Sequence, residues 1–369
     1  MILDVKCAFL YGSMRRRVYI ELPRQDPRHG SGNTVGLLKK AMYGTRDAPQ
    51  IWQEEVQRTM EEIGFKVSML HPSIYHHPGR EVVVVVHVDD FLCSGEAGNL
   101  EWLYQSLRKR YDLSRTMVGS EFEQECKYLN RIVRWTDRGF EIEGDPKHVN
   151  LLFKEWGMEQ CSLVDTPITK EGQDQAGSGE ELKEEEARNV RRSIARINYM
   201  AQDRPDLSVA ARILSQNMSQ PRAGVLSVIK RVIRYLRKYP RGILEIRGDM
   251  GMEHIHIWTD SDWAGDSVSR RSCSGGSLQL GDTTVQHWSK LQSNIALSSG
   301  EAELNAAVKG ISEGIGLREL IQEVFRKQVN MTLHVDANAC RGILSHLTDR
   351  KSTRLNSSHS SVSRMPSSA

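Results

Sequence analysis

Val82-Val-Val-Val-Val-His-Val-Asp-Asp-Phe-Leu-Cys93 sets two adjacent acids between two apolar runs. Each run has the β-branched content and length of a buried strand, and the acids fall where a hairpin would turn. Adjacent strand residues point to opposite faces, but a turn relaxes that rule and lets Asp89 and Asp90 share one site. Two carboxylates beside apolar strands are costly unless a cation neutralises them. The alternative is a solvated Asp-Asp turn. Upstream, Met1-Ile-Leu-Asp-Val-Lys-Cys-Ala-Phe-Leu-Tyr-Gly12 places Asp4 at the end of another apolar strand. Three carboxylates on neighbouring strands suit two magnesium ions, the arrangement that activates a hydroxyl for in-line attack on phosphorus and stabilises the leaving group.

The surrounding chain is ordinary in composition. Its 369 residues carry 50 Lys+Arg and 47 Asp+Glu, with 39% hydrophobic residues. This excludes collagen-like, coiled-coil and disulfide-scaffold classes, and leaves room for two or three domains. The near balance of charge means that any nucleic-acid contact must come from local clusters. No apolar run approaches the roughly 20 residues of a membrane span, so no membrane partner is expected. Acids and bases interrupt the first apolar stretch, which argues against a signal peptide. The six cysteines form no C-x-x-C pair, which argues against zinc modules and for a reducing compartment. Periodicity predicts strands at 1–5, 18–22 and 82–88 and a helix over 48–63 with Trp52, Val56 and Met60 on one face, stopped by Gly64.

D-V-K-x-A-F-L-x-G, then L-x-x-A-x-Y-G-x-x-x-A-P-x-x-W from Leu38 to Trp52, then V-D-D, in this order and spacing, closely resembles the reverse transcriptase of copia-type retrotransposons. The resemblance implies that Asp4, Asp89 and Asp90 are the metal-binding catalytic acids. Phe9 matches the steric-gate position, where a ring would crowd a ribose 2′-OH and favour deoxynucleotides; a core aromatic is the other reading. The segment 43–49, with Gly44 and Arg46, resembles the lining of the nucleotide and template site. Gly44 would permit close backbone approach, a role compatible with a plain turn glycine. Two positions depart from the family: His87 stands where Tyr is usual before V-D-D, and Asp47 where Gln is common. An acid near an incoming triphosphate would repel it, so Asp47 must point away or alter activity.

A second series follows. His256-Ile-Trp-Thr-Asp-Ser-Asp-Trp-Ala-Gly265, Ala296-Leu-Ser-Ser-Gly-Glu-Ala-Glu-Leu304 and His334-Val-Asp-Ala-Asn338 resemble the ribonuclease H domain that follows copia-type polymerases. Its strands and helix are expected at 254–259, 275–284, 299–325 and 332–335. Ser298 and Glu301 have capping-box spacing, which makes Glu301 a cap partner. Glu303 matches the family's E-L-x-A motif and is the better ligand, with Asp260 and Asp336. Asp262 reads as a solvated turn acid. Arg270 and Arg271 suit either backbone phosphate or a plain hairpin surface.

Between these regions, Met200-Ala-Gln-Asp-Arg-Pro-Asp-Leu207 and 214–219 resemble the family's connection. A helix at 225–241 carries Lys230, Arg231, Arg234, Arg237 and Lys238 on one face, a stripe that suits a template–primer backbone or is merely solvated. The expected architecture is a multidomain α+β and α/β chain. It comprises a reverse transcriptase palm-like sheet with helices over 1–135, fingers missing, and a helical thumb or connection over 136–250 with a polar loop at 170–186. A ribonuclease H-like mixed sheet with helices follows over 251–348, its fourth acid expected beyond Leu347. The tail 349–369 has eight Ser among 21 residues and supplies the whole formal charge of +3. It is expected to be disordered. Its stretch Asp349-Arg-Lys-Ser-Thr-Arg-Leu-Asn-Ser-Ser-His359 resembles an in-frame translation of a sequencing-library adapter. Re-amplifying the source DNA across codon 349 checks that origin, and unbroken genomic sequence there would refute it.

The resemblance implies RNA-directed DNA polymerase and ribonuclease H activities, with two Mg²⁺ per active site and Mn²⁺ as the alternative ion. The partners would be an RNA template, a DNA primer, dNTPs and the RNA–DNA hybrid, alongside the protease and integrase of an intact Pol polyprotein. The setting would be a cytoplasmic virus-like particle, with nuclear entry by the intact element. The chain itself is expected to extend a primer little or not at all. The other reading is a non-catalytic remnant that at most binds nucleic acid.

Overall fold

A computed structural model describes residues 1–30, 32, 34–248, 251–349 and 362–363. The chain divides into two units, Met1–Glu123 and Gln124–Ala369.

The first unit holds β1 (Ile2–Val5), β2 (Tyr19–Ile20), β3 (Gly36–Leu37), α1 (Ala48–Glu62), β4 (Lys66–Val67), β5 (Ile74–His77), β6 (Val82–His87), β7 (Asp90–Ser94), α2 (Ala97–Arg108) and β8 (Leu113–Thr116). Its antiparallel six-stranded sheet has the order β4-β5-β6-β7-β1-β8. Alternation fixes the register: Leu3, Val82, Val84 and Phe91 are buried with Trp52, Val56 and Met60 of α1 and Leu103 and Leu107 of α2. Gly64 ends the helical stretch at φ +93°, where an L side chain would be strained.

The second unit begins with β9 (Glu125–Tyr128), β10 (Arg131–Thr136), β11 (Gly139–Gly144), α3 (Lys147–Trp156), α4 (Lys170–Gln175), α5 (Glu184–Met200), α6 (Ser208–Gln216), α7 (Gly224–Lys238) and β12 (Ile243–Arg247). The boundary expected at 135 moves to Glu123, because β9 and β10 pair with β11 and β12 in one four-stranded sheet. The expected loop at 170–186 is also corrected. Thr169 Oγ1 caps α4 by accepting the Gly172 N–H at 3.2 Å, and Ala176 is buried in the helical core against which α4 packs. Glu184, Glu185 and Glu186 then open α5, where acids complement the helix dipole.

The chain continues through β13 (His254–Asp262), β14 (Cys273–Leu280), β15 (Thr283–Leu291), α8 (Ser299–Phe325), β16 (Asn330–His334), α9 (Asn338–Asp349) and β17 (Val362–Ser363). The sheet order is β15-β14-β13-β16-β17, with β13 and β16 parallel. Apart from Asp349 and Val362–Ser363, the tail reading falls outside the described residues. The contacts Ser208 to His287 and Arg212 to Ser289 of β15, and Gln216 to Asp266 in the turn after β13, bind α6 to this region, so the expected helical connection and ribonuclease H-like region share one unit. No helix among the described residues is long and apolar enough to cross a membrane.

Helix α8 approaches β13 through two glycines. A Cβ at Gly310 would lie 2.4 Å from the Thr259 methyl, and one at Gly314 2.5 Å from Ile257 Cδ1. Gly310→Ala is therefore expected to lower unfolding free energy by about 1–3 kcal/mol through overpacking. Urea unfolding checks this; an unchanged midpoint would show that helix and sheet separate freely.

Candidate active sites

The first carboxylate set grows out of the β6–β7 hairpin. His87 pairs with Asp90, Asp90 with Asp4, and Asp4 with Ser114 across four adjacent strands. Directly opposed residues present side chains on the same face, so these four form one polar row opposite the buried Leu3, Val5 and Phe91. Asp89 occupies the two-residue turn, and its carbonyl accepts the Val5 N–H at 3.0 Å. Val88 precedes it with φ 56°. Hairpin turns of this length require positive φ, but a β-branched residue there costs about 1–3 kcal/mol.

Burial lifts the Asp90 carboxyl above its ordinary range, and the negative charges of Asp89 and Asp4 lift it further, while His87 opposes them. That field calls for a cation. Burial and then Asp89 likewise raise the Tyr43 phenol. The ring of Phe9 lies 4.5 Å from that of Tyr43, half-buried between core and surface. Gly44 has φ +92°, and among the described residues beyond its chain neighbours no atom lies within 4 Å of a would-be Cβ. This geometry fits both its turn role and a close approach by another molecule. Arg46 is exposed. Asp47 pairs with Arg16 through two hydrogen bonds of 3.1 and 3.0 Å, and the guanidinium holds its carboxyl below the usual range. Arg16 thus neutralises the acid that departs from the family pattern. Its partner lies 31 residues away, and no local signal announced it.

The second set converges more closely. Parallel β13 and β16 pair Trp258 with His334, so Asp260, still within β13, and Asp336, just past β16, each lie two residues beyond that pair. Glu303 comes from the first turns of α8. One ligand oxygen from each of Asp260, Glu303 and Asp336 lies within 4.8 Å of the others, and among the described residues this is the group that meets that test. Asp4 and Asp90 share one row beside the turn that carries Asp89, but the three acids do not reach that mutual distance. Glu303 is 6% exposed. Its Oε1 accepts the Ser261 N–H and hydroxyl, both at 3.1 Å. Its Oε2 is buried with no hydrogen-bond partner among the described residues. Burial, then Asp260 and, more weakly, Asp336, push the Glu303 carboxyl to about 7, against the pull of Ser261. An orphaned buried oxygen beside two exposed carboxylates fits a hard divalent cation. Ser261 was not singled out from the sequence; its place between Asp260 and Asp262 was the available signal.

The neighbouring acids separate as expected. Glu301 accepts the Leu297 N–H at 2.7 Å, while its own N–H binds Ser298 Oγ at 3.2 Å. Asp262 is exposed, and its carboxylate folds over Gly265. Arg270 and Arg271 are exposed.

The basic stripe of α7 needs correction. Arg231 bonds Thr166 Oγ1 at 2.9 Å, Arg234 bonds the Ser162 carbonyl at 3.0 Å, and Lys238 pairs with Asp165. The segment 162–166 lies across that face, so Arg231 and Arg234 hold their own chain, and Lys230 and Arg237 remain exposed.

The Glu303 shift has a testable sign. With chelator present, the folded chain binds the Glu303 proton up to pH about 7, whereas the unfolded chain releases it near 4.5. Stability should therefore fall as pH rises through that window, by up to about 3 kcal/mol. Thermal unfolding of the parent and Glu303→Gln checks it: the Gln chain should lack this decline, and identical pH profiles would refute it.

Residues 1–170 match the family model for reverse transcriptase (RNA-dependent DNA polymerase). Over 325 residues, 87% of the chain, it is 30% identical to the retrovirus-related Pol polyprotein from transposon RE1 of Arabidopsis thaliana. The chain carries a copia-like retrotransposon reverse transcriptase region. The Pol polyprotein from transposon TNT 1-94 of Nicotiana tabacum is 26% identical over 91% of the chain. This copia-type region spans 22% of the RE1 polyprotein and 26% of the TNT 1-94 polyprotein. In fold it is similar to the foamy viral protease-reverse transcriptase solved in complex with dsDNA. That likeness has a TM-score of 0.53 at 12% identity and covers 90% of this chain and 61% of that one.

Proposed function

We propose that this region serves RNA-directed DNA synthesis and hydrolysis of the RNA strand of the resulting hybrid. Each reaction would use a pair of Mg²⁺ ions, with Mn²⁺ as the substitute. The observation that carries the reading is the convergence of Asp260, Glu303 and Asp336 around an orphaned buried oxygen. The Asp4–Asp90 register beside Asp89 supports the same chemistry at the first site.

Bound at either centre, the ions would supply Lewis-acid stabilisation of charge at phosphorus and of the attacking oxygen. The chain's own residues do the rest. Asp4, Asp89 and Asp90 concentrate negative charge at one sheet face. Phe9, braced by Tyr43, limits the space beside a nucleotide sugar. Arg16 removes the repulsion that Asp47 would exert on a triphosphate. At the second centre, Ser261 orients Glu303, leaving one oxygen free for a ligand. The substrates on this reading are an RNA template, a DNA primer, dNTPs and the RNA–DNA hybrid, handled together with other Pol regions.

The test is incubation of the full chain with an end-labelled RNA–DNA hybrid and Mg²⁺. Slow cleavage of the RNA strand, stopped by chelator, is expected. Hybrid left intact at saturating protein would overturn the hydrolytic reading.

A further inference from the structure

Trp52 closes the sequence motif that runs from Leu38, yet nothing in the scheme of two carboxylate centres uses it. The structure gives it a specific task. Its side chain is 2% exposed, and its indole Nε1–H donates to the Val88 carbonyl at 2.5 Å. That carbonyl belongs to the peptide linking Val88 to Asp89. Val88 itself is 46% exposed and sits at φ 56°. A β-branched residue resists this conformation, and Val88 stands where Gly, Asn or Asp usually supplies it. The indole is in turn fixed by neighbours: Tyr111 meets it edge-on at 5.3 Å and Tyr11 lies at 6.3 Å. The Tyr11 hydroxyl accepts the Asp112 N–H at 2.8 Å, and Tyr111 shares a hydrogen bond of 2.7 Å with Thr59 of α1. A rigid aromatic block therefore holds the strained turn by the Val88 carbonyl, while the Asp89 carbonyl accepts from the Val5 N–H.

We propose that Trp52 is a positioning residue: its indole N–H pins the left-handed Val88 turn and so aims the Asp89 carboxylate at the site shared with Asp4 and Asp90. The effect on metal binding rests on the reading of those three acids as metal ligands. The effect on the turn does not. Rotating the Val88–Asp89 peptide would swing the first atoms of the Asp89 side chain, whereas Asp4 and Asp90 are held by strand pairing.

The test uses the full chain and Trp52→Phe, which keeps an aromatic ring and removes the donor. Hydrogen exchange of the peptide covering 86–91 should rise about tenfold or more, with β8 unchanged. Mn²⁺ affinity at the Asp89-dependent site should fall about tenfold. Val88→Gly, which adopts positive φ freely, should restore both in the Trp52→Phe background. Exchange in the turn unaffected by Trp52→Phe would overturn the proposal, as would a loss that Val88→Gly fails to rescue. Exchange that rises and is rescued supports the clamp even when Mn²⁺ binding proves independent of Asp89; that second result would count against the metal reading alone. Trp52→Phe that unfolds the chain, seen as exchange rising throughout Met1–Glu123, would overturn the specific role and leave Trp52 a core residue.

Discussion

Asp260→Asn is expected to slow cleavage of an RNA–DNA hybrid by about a thousandfold. The substitution keeps the shape of the side chain and removes one of three negative charges within 4.8 Å of one another. Loss of several kcal/mol of charge stabilisation at phosphorus corresponds to that factor, at about 1.4 kcal/mol per tenfold. Glu303→Gln should cost as much, because it replaces by a neutral amide a carboxylate whose Oε2 has no hydrogen-bond partner among the described residues. The neighbouring acids provide the contrast. Asp262→Asn and Glu301→Gln alter an exposed strand end and a helix cap, so their rates should stay within about threefold of the parent. Single-turnover rates at saturating Mg²⁺ measure all four. Equal losses for Asp260 and Asp262 variants would show that the centre has been misplaced.

Arg204→Ala should lower unfolding free energy by about 1–3 kcal/mol, the usual cost of removing a buried, charge-assisted hydrogen-bonding group whose partner is half-exposed. Arg204 is 8% exposed and donates to Asp206 at 3.0 and 2.6 Å and to the Tyr239 carbonyl at 3.1 Å. Tyr235 adds its hydroxyl to Asp206 at 2.7 Å. The network ties the turn after α5 to the end of α7. It also explains Gly242, where a Cβ would lie 1.9 Å from Arg204 Cδ. Burial pushes the Asp206 carboxyl up, but Arg204 and Tyr235 hold it below its ordinary range on balance. A depressed carboxyl stabilises the fold above its unfolded value near 4, and that contribution is lost as pH falls through the lower folded value. Urea unfolding at pH 7 should give the full loss for Arg204→Ala, and the variant should lack the parent's acid-induced weakening from this group. A loss under 1 kcal/mol at pH 7 would mean that the network is incidental.

Much of this arrangement was legible where apolar periodicity was strong. The runs flanking Asp89 and Asp90 became β6 and β7, and the 52/56/60 spacing became the buried face of α1. Ser298 and Glu301 could be assigned to a helix cap by their spacing, and Glu303 was picked out by its match to the family's motif, before any contact was known. Other elements carried weak or competing signals. Strands β9 to β11 are rich in charge because Arg134 bridges Glu125 and Glu141 across them, so their alternation is electrostatic more than apolar. Helix α4 is too polar to stand out, and only its cap and the burial of Ala176 account for it. Arg231 and Arg234 looked free because their partners, Ser162 and Thr166, lie some 70 residues earlier. The pairing of Asp47 with Arg16 is tertiary in the same sense. These failures share a cause: a charge read alone looks solvated until the fold supplies its partner.

The most direct test of two separate carboxylate centres is calorimetric titration of the full chain with Mg²⁺. The account predicts two classes of binding, one removed by Asp89→Asn and the other by Asp260→Asn, each substitution leaving the other class intact. An isotherm unchanged by both substitutions would contradict it.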